Sequence, residues 1–315
     1  MSFSMDIKKE LTRIETSDIC CREYELAGII RTGIVIKKYK GKSRVLFTTE
    51  NASLSRHLYS RVKELYRNSP DIFILKTRRF HNHTVYRLEF THLIGEEMKS
   101  ILKKMGISIA ENGEKIFYEN IKIKKRCCKR AYLRGCFMAG GSITDPDRSY
   151  HLEITFPSLL LALECISLLK EFDIESRHIE RKGHYLVYLK EGQEIVDFLN
   201  VIGAHNALLK LENIRILKDM RNQVNRIVNC ETANLEKTVN ASLRHVDSIK
   251  YIAETRGLDS LPENLREIAV LRLENPDASL SELGQMVNPA LSKSGINHRL
   301  KKIDSIAESI RSNDI

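Results

Sequence analysis

Two short stretches constrain this chain more than any other feature. Leu26-Ala27-Gly28-Ile29-Ile30-Arg31-Thr32-Gly33 and Leu133-Arg134-Gly135-Cys136-Phe137-Met138-Ala139-Gly140 stand at matching points of a pattern that occurs twice. Each is an apolar run at helical spacing with glycine at its third place, where a small residue lets two helices approach closely. One core helix tolerates one glycine, but glycines at equivalent points of two copies ask for a shared cause. In the first copy a helix over 18–32 precedes two extended runs broken at Lys40-Gly41-Lys42, which read as a hairpin. A helix from the N-cap Asn51 follows, with Leu54, Leu58, Val62 and Leu65 on one stripe. A second hairpin joined near His81-Asn82 and an amphipathic helix over 95–105 complete the unit, and a turn and an extended stretch fill 106–126. The second copy repeats the order: a helix over 129–139, an extended pair around Asp145-Pro146-Asp147, an apolar helix from Ser158, a pair across Gly183 and a closing helix. The predicted class is therefore α+β, a duplicated αββαββα arrangement with lobes at 1–126 and 127–204.

The remainder is helical. No proline or glycine interrupts 205–256, so a linker helix over 205–229 leads into a C-terminal domain at 230–315. Its helices are expected over 234–254, over 262–274 with Pro262 at the start, and over a short segment opened by Ser279 and Glu282, which match a capping box. Asn288-Pro289 breaks the short helix, and a longer one follows from Ser292. A short capped helix, a tight break and a longer helix form a helix-turn-helix pattern.

Charge points to the partner. The net charge of +10 is unevenly spread: residues 1–130 carry 28 basic and 15 acidic side chains, 131–209 carry 7 and 11, and 210–315 carry 16 and 15. A basic excess of this size attracts polyanions across roughly 10 Å at 0.1 M salt, which makes double-stranded DNA the expected partner. No apolar run suits a membrane span. The charged N-terminus is unlike a secretory signal, so a cytoplasmic, nucleoid-associated protein is expected. The seven cysteines include the adjacent pairs Cys20-Cys21 and Cys127-Cys128, which lack the C-x2-C spacing that wraps zinc. They read as reduced thiols, so neither metal nor cofactor is expected.

The last helix carries the chemistry of sequence reading. Lys293, Ser294, Asn297, His298, Arg299, Lys301 and Lys302 crowd its first turns with no acid among them. Amides and guanidinium groups suit base edges, while cations suit the flanking phosphates. Leu300 and Ile303 are expected to face inward, with Ile296 at the edge of the domain.

The paired glycine-bearing stretches resemble the LAGLIDADG motif of homing endonucleases. Together with the stretch from Leu265 to Ile303, the segment from Arg130 to Phe156 resembles the WhiA family of bacterial sporulation transcription regulators, and the likeness spans nearly the whole chain. It implies a monomeric, degenerate two-lobed endonuclease-like domain followed by a helix-turn-helix resembling region 4 of sigma factors. It also implies sequence-specific binding at promoter regions, with roles in sporulation or cell division.

The departures from the nuclease pattern bear on catalysis. The eighth motif position, which supplies one metal-binding carboxylate per lobe in active nucleases, is Gly33 in one copy and Gly140 in the other, and the sixth is Arg31 and Met138. Glycine offers no side-chain oxygen to a hard cation. The expectation is a protein that is not an enzyme. His57, His81, His83, His92 and His151 have no recognisable catalytic spacing either, and there is no P-loop or dinucleotide fingerprint. The first lobe still offers possible phosphate contacts in Lys37, Lys38, Lys40, Lys42, Arg44, Lys76, Arg78, Arg79 and Arg87. The net-acidic second lobe suits a protein partner. A nucleoid-associated division adaptor and a metal-dependent endonuclease are the rival readings.

Overall fold

The computed structural model describes residues 2–16, 18–39, 42–67, 69–77, 83–90, 96–110 and 115–313. It divides into two compact units, 1–218 and 219–315. The first opens on a helix absent from the sequence reading, α1 (Phe3–Leu11), whose Phe3, Ile7 and Leu11 are buried. Its i, i+4, i+8 spacing is that of an amphipathic helix, but the charged residues between them hide the stripe.

The duplicated order is as expected. The first lobe runs α2 (Ile19–Gly33), β1 (Ile34–Tyr39), β2 (Lys42–Thr49), α3 (Ala52–Tyr66), β3 (Asp71–Thr77), β4 (His83–Glu89) and α4 (Glu96–Lys104), with a small hairpin of β5 (Ile107–Ile109) and β6 (Ile116–Tyr118) appended. The second runs α5 (Arg126–Gly140), β7 (Gly141–Ile143), β8 (Leu152–Phe156), α6 (Leu159–Lys170), β9 (Arg177–Arg181), β10 (His184–Leu189) and α7 (Gly192–Ile202). The two four-stranded antiparallel sheets have equivalent orders, β1-β2-β4-β3 and β7-β8-β10-β9. Local chemistry sets the boundaries. Asn51 Oδ1 accepts the Ser53 and Leu54 N–H groups at the start of α3, and Ser158 Oγ that of Leu160 at the start of α6. Asp145 Oδ1 accepts the Asp147 N–H in the turn between β7 and β8.

The lobes join through α2 and α5, and glycine decides how closely. A Cβ on Gly28 would fall within 3.0 Å of the Tyr132 carbonyl oxygen, and one on Gly135 within 3.0 Å of the Glu25 carbonyl oxygen. Each helix therefore lays backbone against backbone, and one apolar core, including Leu26, Ile29, Leu133, Cys136 and Phe137, runs through both lobes. Two buried arginines flank this seam. Arg31 donates from Nε to Tyr132 Oη (3.0 Å), from Nη1 to the Met105 carbonyl (2.5 Å) and from Nη2 to Glu164 (2.8 Å). Arg134 donates from Nε to Glu25 (2.6 Å), whose other oxygen meets His57 Nε2 at 2.7 Å. Burial pushes the Glu25 carboxyl up, but the His57 hydrogen bond and the Arg134 charge outweigh it, and the group sits below the usual carboxylate range. His57, catalytically idle in the sequence reading, is thus part of the interlobe network.

The next helix, α8 (His205–Thr255), is a single run of 51 residues, where the sequence suggested a linker helix followed by a separate helix from Asn234. With neither proline nor glycine inside it, nothing stops the backbone hydrogen bonding. Glu10 of α1 accepts the Asn206 and Ala207 N–H groups at its start (2.8 and 3.1 Å). In the second unit a single 3-10 turn at Leu258–Ser260 precedes α9 (Glu263–Glu274), α10 (Leu280–Met286) and α11 (Lys293–Asn313). They share a core that includes Ile249, Ile252, Leu265, Ile268, Leu283, Ile296, Leu300 and Ile303.

Gly135→Ala is expected to force α2 and α5 apart and lower the unfolding free energy by about 1–3 kcal/mol, read as a lower urea midpoint. An unchanged midpoint would mean that the seam has room for a methyl group. Because the Glu25 carboxyl lies below its ordinary value of 4.5 in the folded protein, its stabilisation is present above that pH and is lost as the pH falls further. Glu25→Gln should therefore be less stable at pH 7 and lose stability less steeply below pH 4.5. An acid-side slope equal to that of the unaltered protein would remove Glu25 from the balance.

Candidate nucleic-acid interface

The second unit builds its exposed helix from the turn outward. At the start of α10, Ser279 Oγ accepts the Glu282 N–H at 3.3 Å, and Glu282 Oε2 accepts the Ser279 N–H at 2.7 Å, the reciprocal capping box expected from the sequence. The Ser279 backbone N–H also holds the Glu282 carboxyl below its ordinary range. Gly284 in α10 lets the following turn fold back: the Leu291 N–H donates to the Gly284 carbonyl at 2.9 Å, and a Cβ on Gly284 would collide with the Leu291 carbonyl oxygen. Just before α11, Ser292 Oγ accepts the Gly295 N–H at 3.3 Å and pairs with the Ser294 hydroxyl at 2.9 Å.

Arg272 anchors the other side of this turn system. Buried near the end of α9, its Nη1 donates to the Ala278 carbonyl at 2.6 Å, the Pro276 carbonyl at 3.2 Å and Ser242 Oγ at 3.3 Å. The loop that leads into the capping box is thus pinned to α9 and α8. Arg272 does not stand out from the sequence, although an arginine in a last helical turn followed by Asn275-Pro276 is a signal for carbonyl capping.

Along α11, Ile296, Leu300, Ile303, Ala307 and Ile310 are buried and define the inward side, so Ile296, expected at the edge of the domain, lies in its core. At about 100° per residue, Ser294, His298 and Lys301 lie on the opposite side, and all three are exposed. Asn297 and Lys302 sit on either shoulder of that face, half-buried and exposed respectively, and Lys293 is exposed in the first turn. Arg299 does not join them. It lies roughly 200° from Asn297 and its Nη1 donates to the Asn264 carbonyl of α9 at 3.3 Å. The outward arc is therefore Ser294, Asn297, His298, Lys301 and Lys302. The first acid in α11 is Asp304, which meets Arg244 and His245 at 3.5 and 3.6 Å.

The basic residues expected on the first lobe are divided by the sheet. Cross-strand partners share a face, so the pairings Lys37↔Arg44, Thr48↔Arg87 and Phe73↔Arg87 put Lys37, Arg44 and Arg87 together. Lys76 falls on the opposite face, because it is three residues beyond Phe73 and side chains alternate. Glu89 shares the face of Lys37 and takes up part of its charge: Arg44 Nη1 lies 2.8 Å and Arg87 Nη1 3.8 Å from this buried carboxylate. Lys37 is exposed. Lys40, Arg78 and Arg79 lie outside the described residues, as do His81 and His92, and nothing is described of the side chains of Lys38, Lys42 and His83.

At the ends of α2 and α5, where the endonuclease motif would carry its carboxylates, the space is filled. A Cβ on Gly33 would fall within 3.0 Å of the Phe47 ring, and one on Gly140 would lie 2.5 Å from the Thr155 carbonyl oxygen and 2.7 Å from Thr32 Cγ2. Arg31, at the sixth motif position, places a buried cation beside Glu164 instead of an acid, and Met138 is buried in the apolar core. Of the remaining candidates, His151 Nε2 lies 3.3 Å from Glu153.

Two LAGLIDADG-like lobes followed by a helix-turn-helix unit define the class of protein. The WhiA N-terminal LAGLIDADG-like domain matches residues 19–108, the WhiA LAGLIDADG-like domain 129–221 and the WhiA C-terminal HTH domain 224–307. The chain is 49% identical over 314 residues to a probable cell division protein WhiA of Ruminiclostridium cellulolyticum, covering 100% of this chain and 99% of the relative. It is 48% identical over 317 residues to the probable cell division protein WhiA of Bacillus subtilis, covering 99% and 98%. The crystal structure of full-length DUF199/WhiA from Thermatoga maritima superposes with a TM-score of 0.59 at 30% identity, covering 98% of this chain and 99% of that one. The chain belongs to the WhiA family.

With both motif positions closed, restoring the acids is not enough to restore a metal clamp. Gly33→Asp combined with Gly140→Asp is expected to lower the thermal midpoint and to leave supercoiled plasmid intact in Mg²⁺ or Mn²⁺. Metal-dependent nicking by that variant would contradict the steric argument.

Proposed function

We propose that this protein is a sequence-specific, double-stranded-DNA-binding transcription regulator that acts at promoter regions in cell division or sporulation and has no nuclease activity. The observation that carries the reading is the outward face of the first turns of α11, residues 293–302, which holds no acid and is set on a packed core behind a capped short helix and a tight turn. Ser294, Asn297 and His298 offer donors and acceptors suited to base edges, and Lys293, Lys301 and Lys302 offer charge for the phosphates on either side. The N-terminal end of α11 adds its own positive dipole. Names given to the relatives tie the family to cell division, which supports that cellular setting, and we take the protein to be a nucleoid-bound monomer.

Lys37, in the first lobe, is a candidate for sequence-independent phosphate contact. Arg44 and Arg87 contribute less to such a field, because their charge is partly neutralised by Glu89. The acidic balance of residues 131–209 favours a protein partner on the second lobe, and with it a second reading, a chromosome-bound division adaptor. Genome-wide occupancy separates the two: a regulator concentrates at promoters and an adaptor does not.

The decisive experiment selects bound sites from random DNA and then compares variants on the selected duplex. Asn297→Ala is expected to lose about 1–3 kcal/mol and relax base preference at one position. Lys301→Ala should weaken all duplexes alike and reduce the salt slope by about 0.9. An Asn297→Ala protein that footprints the same site with the same affinity would reject the assignment of α11 as the reading element.

A further inference from the structure

Sequence spacing argued against metal binding by the cysteines, but the fold brings four of the seven together. Cys20 and Cys21 fall in the first turn of α2, and Cys127 and Cys128 in the first turn of α5, at equivalent positions of the duplicated helices. Packing the helices against each other therefore stacks the two pairs. Cys21 Sγ lies 3.9 Å from Cys128 Sγ, and Cys128 Sγ lies 3.5 Å from Cys20 Sγ. The sulfurs of Cys20, Cys21 and Cys128 all lie within 4.8 Å of one another, and Cys21 Sγ also groups within that distance with Cys127 Sγ and an Asp18 oxygen.

These spacings have a chemical meaning. Four thiolates at about 2.3 Å around tetrahedral zinc stand roughly 3.8 Å apart, close to the separations seen, whereas a disulfide requires about 2.0 Å. The surroundings also suit negative sulfur. Both helices begin at the cluster without a side-chain cap from Asp18 or Lys125, and a helix N-terminus carries partial positive charge. Lys125 Nζ lies 4.0 Å from Cys20 Sγ. Cys21 and Cys128 are buried, Cys20 is partly buried and Cys127 is exposed, so the cluster has a closed floor and an open side. Cys136 and Cys165 show the contrasting case, thiols buried in the apolar core and outside either group.

We propose that Cys20, Cys21, Cys127 and Cys128 form a zinc site that clamps the two lobes at the N-terminal ends of their paired helices. Cys20, Cys21 and Cys128 supply the preformed part, and Cys127 closes the set from the solvent side. Binding releases the thiol protons as sulfur–zinc bonds form, with no change of oxidation state. Burial pushes the Cys21 thiol up to about 11 and raises that of Cys128, while the hydrogen bond with Cys21 lowers Cys127. Each lobe contributes two ligands, so the ion would bind the folded pairing of α2 with α5 and stabilise it by mass action.

Full-length protein, reduced and handled without oxygen, tests this by metal analysis and by Co²⁺ titration. One zinc per chain is expected, and Co²⁺ should give a thiolate-to-metal charge-transfer band with the intense visible bands of tetrahedral cobalt. Cys21→Ser with Cys128→Ser should abolish both, while Cys230→Ser, on α8, should keep them. If the buried double variant does not fold, Cys20→Ser with Cys127→Ser carries the same test at more accessible positions. A chelator should lower the thermal midpoint of the unaltered protein and leave that of the cysteine variants unmoved. Reduced protein with no charge-transfer band, or with half an ion per chain from a site shared between molecules, would overturn the proposal.

Discussion

Helices α2 and α5 meet backbone against backbone, with Gly28 beneath the Tyr132 carbonyl and Gly135 beneath that of Glu25, and most features of the first unit follow from that approach. A closer seam brings the first turns of the two helices together, which gathers the four cysteines at one end. It brings their last turns together at the other end, where Gly33 and Gly140 sit against Phe47 and Thr155. It also buries the polar groups on its flanks. Arg31 and Arg134 are buried there, and carboxylates and carbonyl oxygens accept their hydrogen bonds.

The same closeness changes the meaning of the two missing acids. A glycine that had merely replaced an aspartate on an open surface would leave a vacant ligand position. Here the position has been taken over by packing, and Arg31 has become a structural cation tied to the turn between α4 and β5. The end of the seam that carries the eighth motif positions is closely packed against Phe47, Thr32 and Thr155. In the second unit, the close approach at Gly284 plays a comparable part: it lets the turn lie on α10 and so sets where α11 begins.

Charge and geometry part company on the first lobe. Counting lysines and arginines over residues 1–130 gives a strongly basic segment, yet Arg44 and Arg87 lie within ion-pair distance of Glu89 and Lys76 is turned to the other face of the sheet. A count of charges has no direction, whereas a strand register does. Arg299 makes the same point on a helix, where it is two positions from Asn297 along the chain but about 200° from it around the axis.

The sequence by itself determined the duplicated order of helices and strands, the caps at Asn51 and Ser279, the inward-facing Leu300 and Ile303 of α11 and the loss of both motif acids. Each of these depends on interactions within a few residues, so spacing along the chain is enough to reveal it. Only the tertiary structure decided which basic residues share a face, that Arg299 turns to α9, that Arg272 pins the loop before α10, and that His57 belongs to the Glu25 network. Above all it decided the fate of the cysteines. Adjacent pairs look unsuited to one ion when read along a line, but a pseudo-twofold seam brings residues 107 positions apart to within 3.9 Å. That distance is a property of how two helices pack, and no local pattern encodes it.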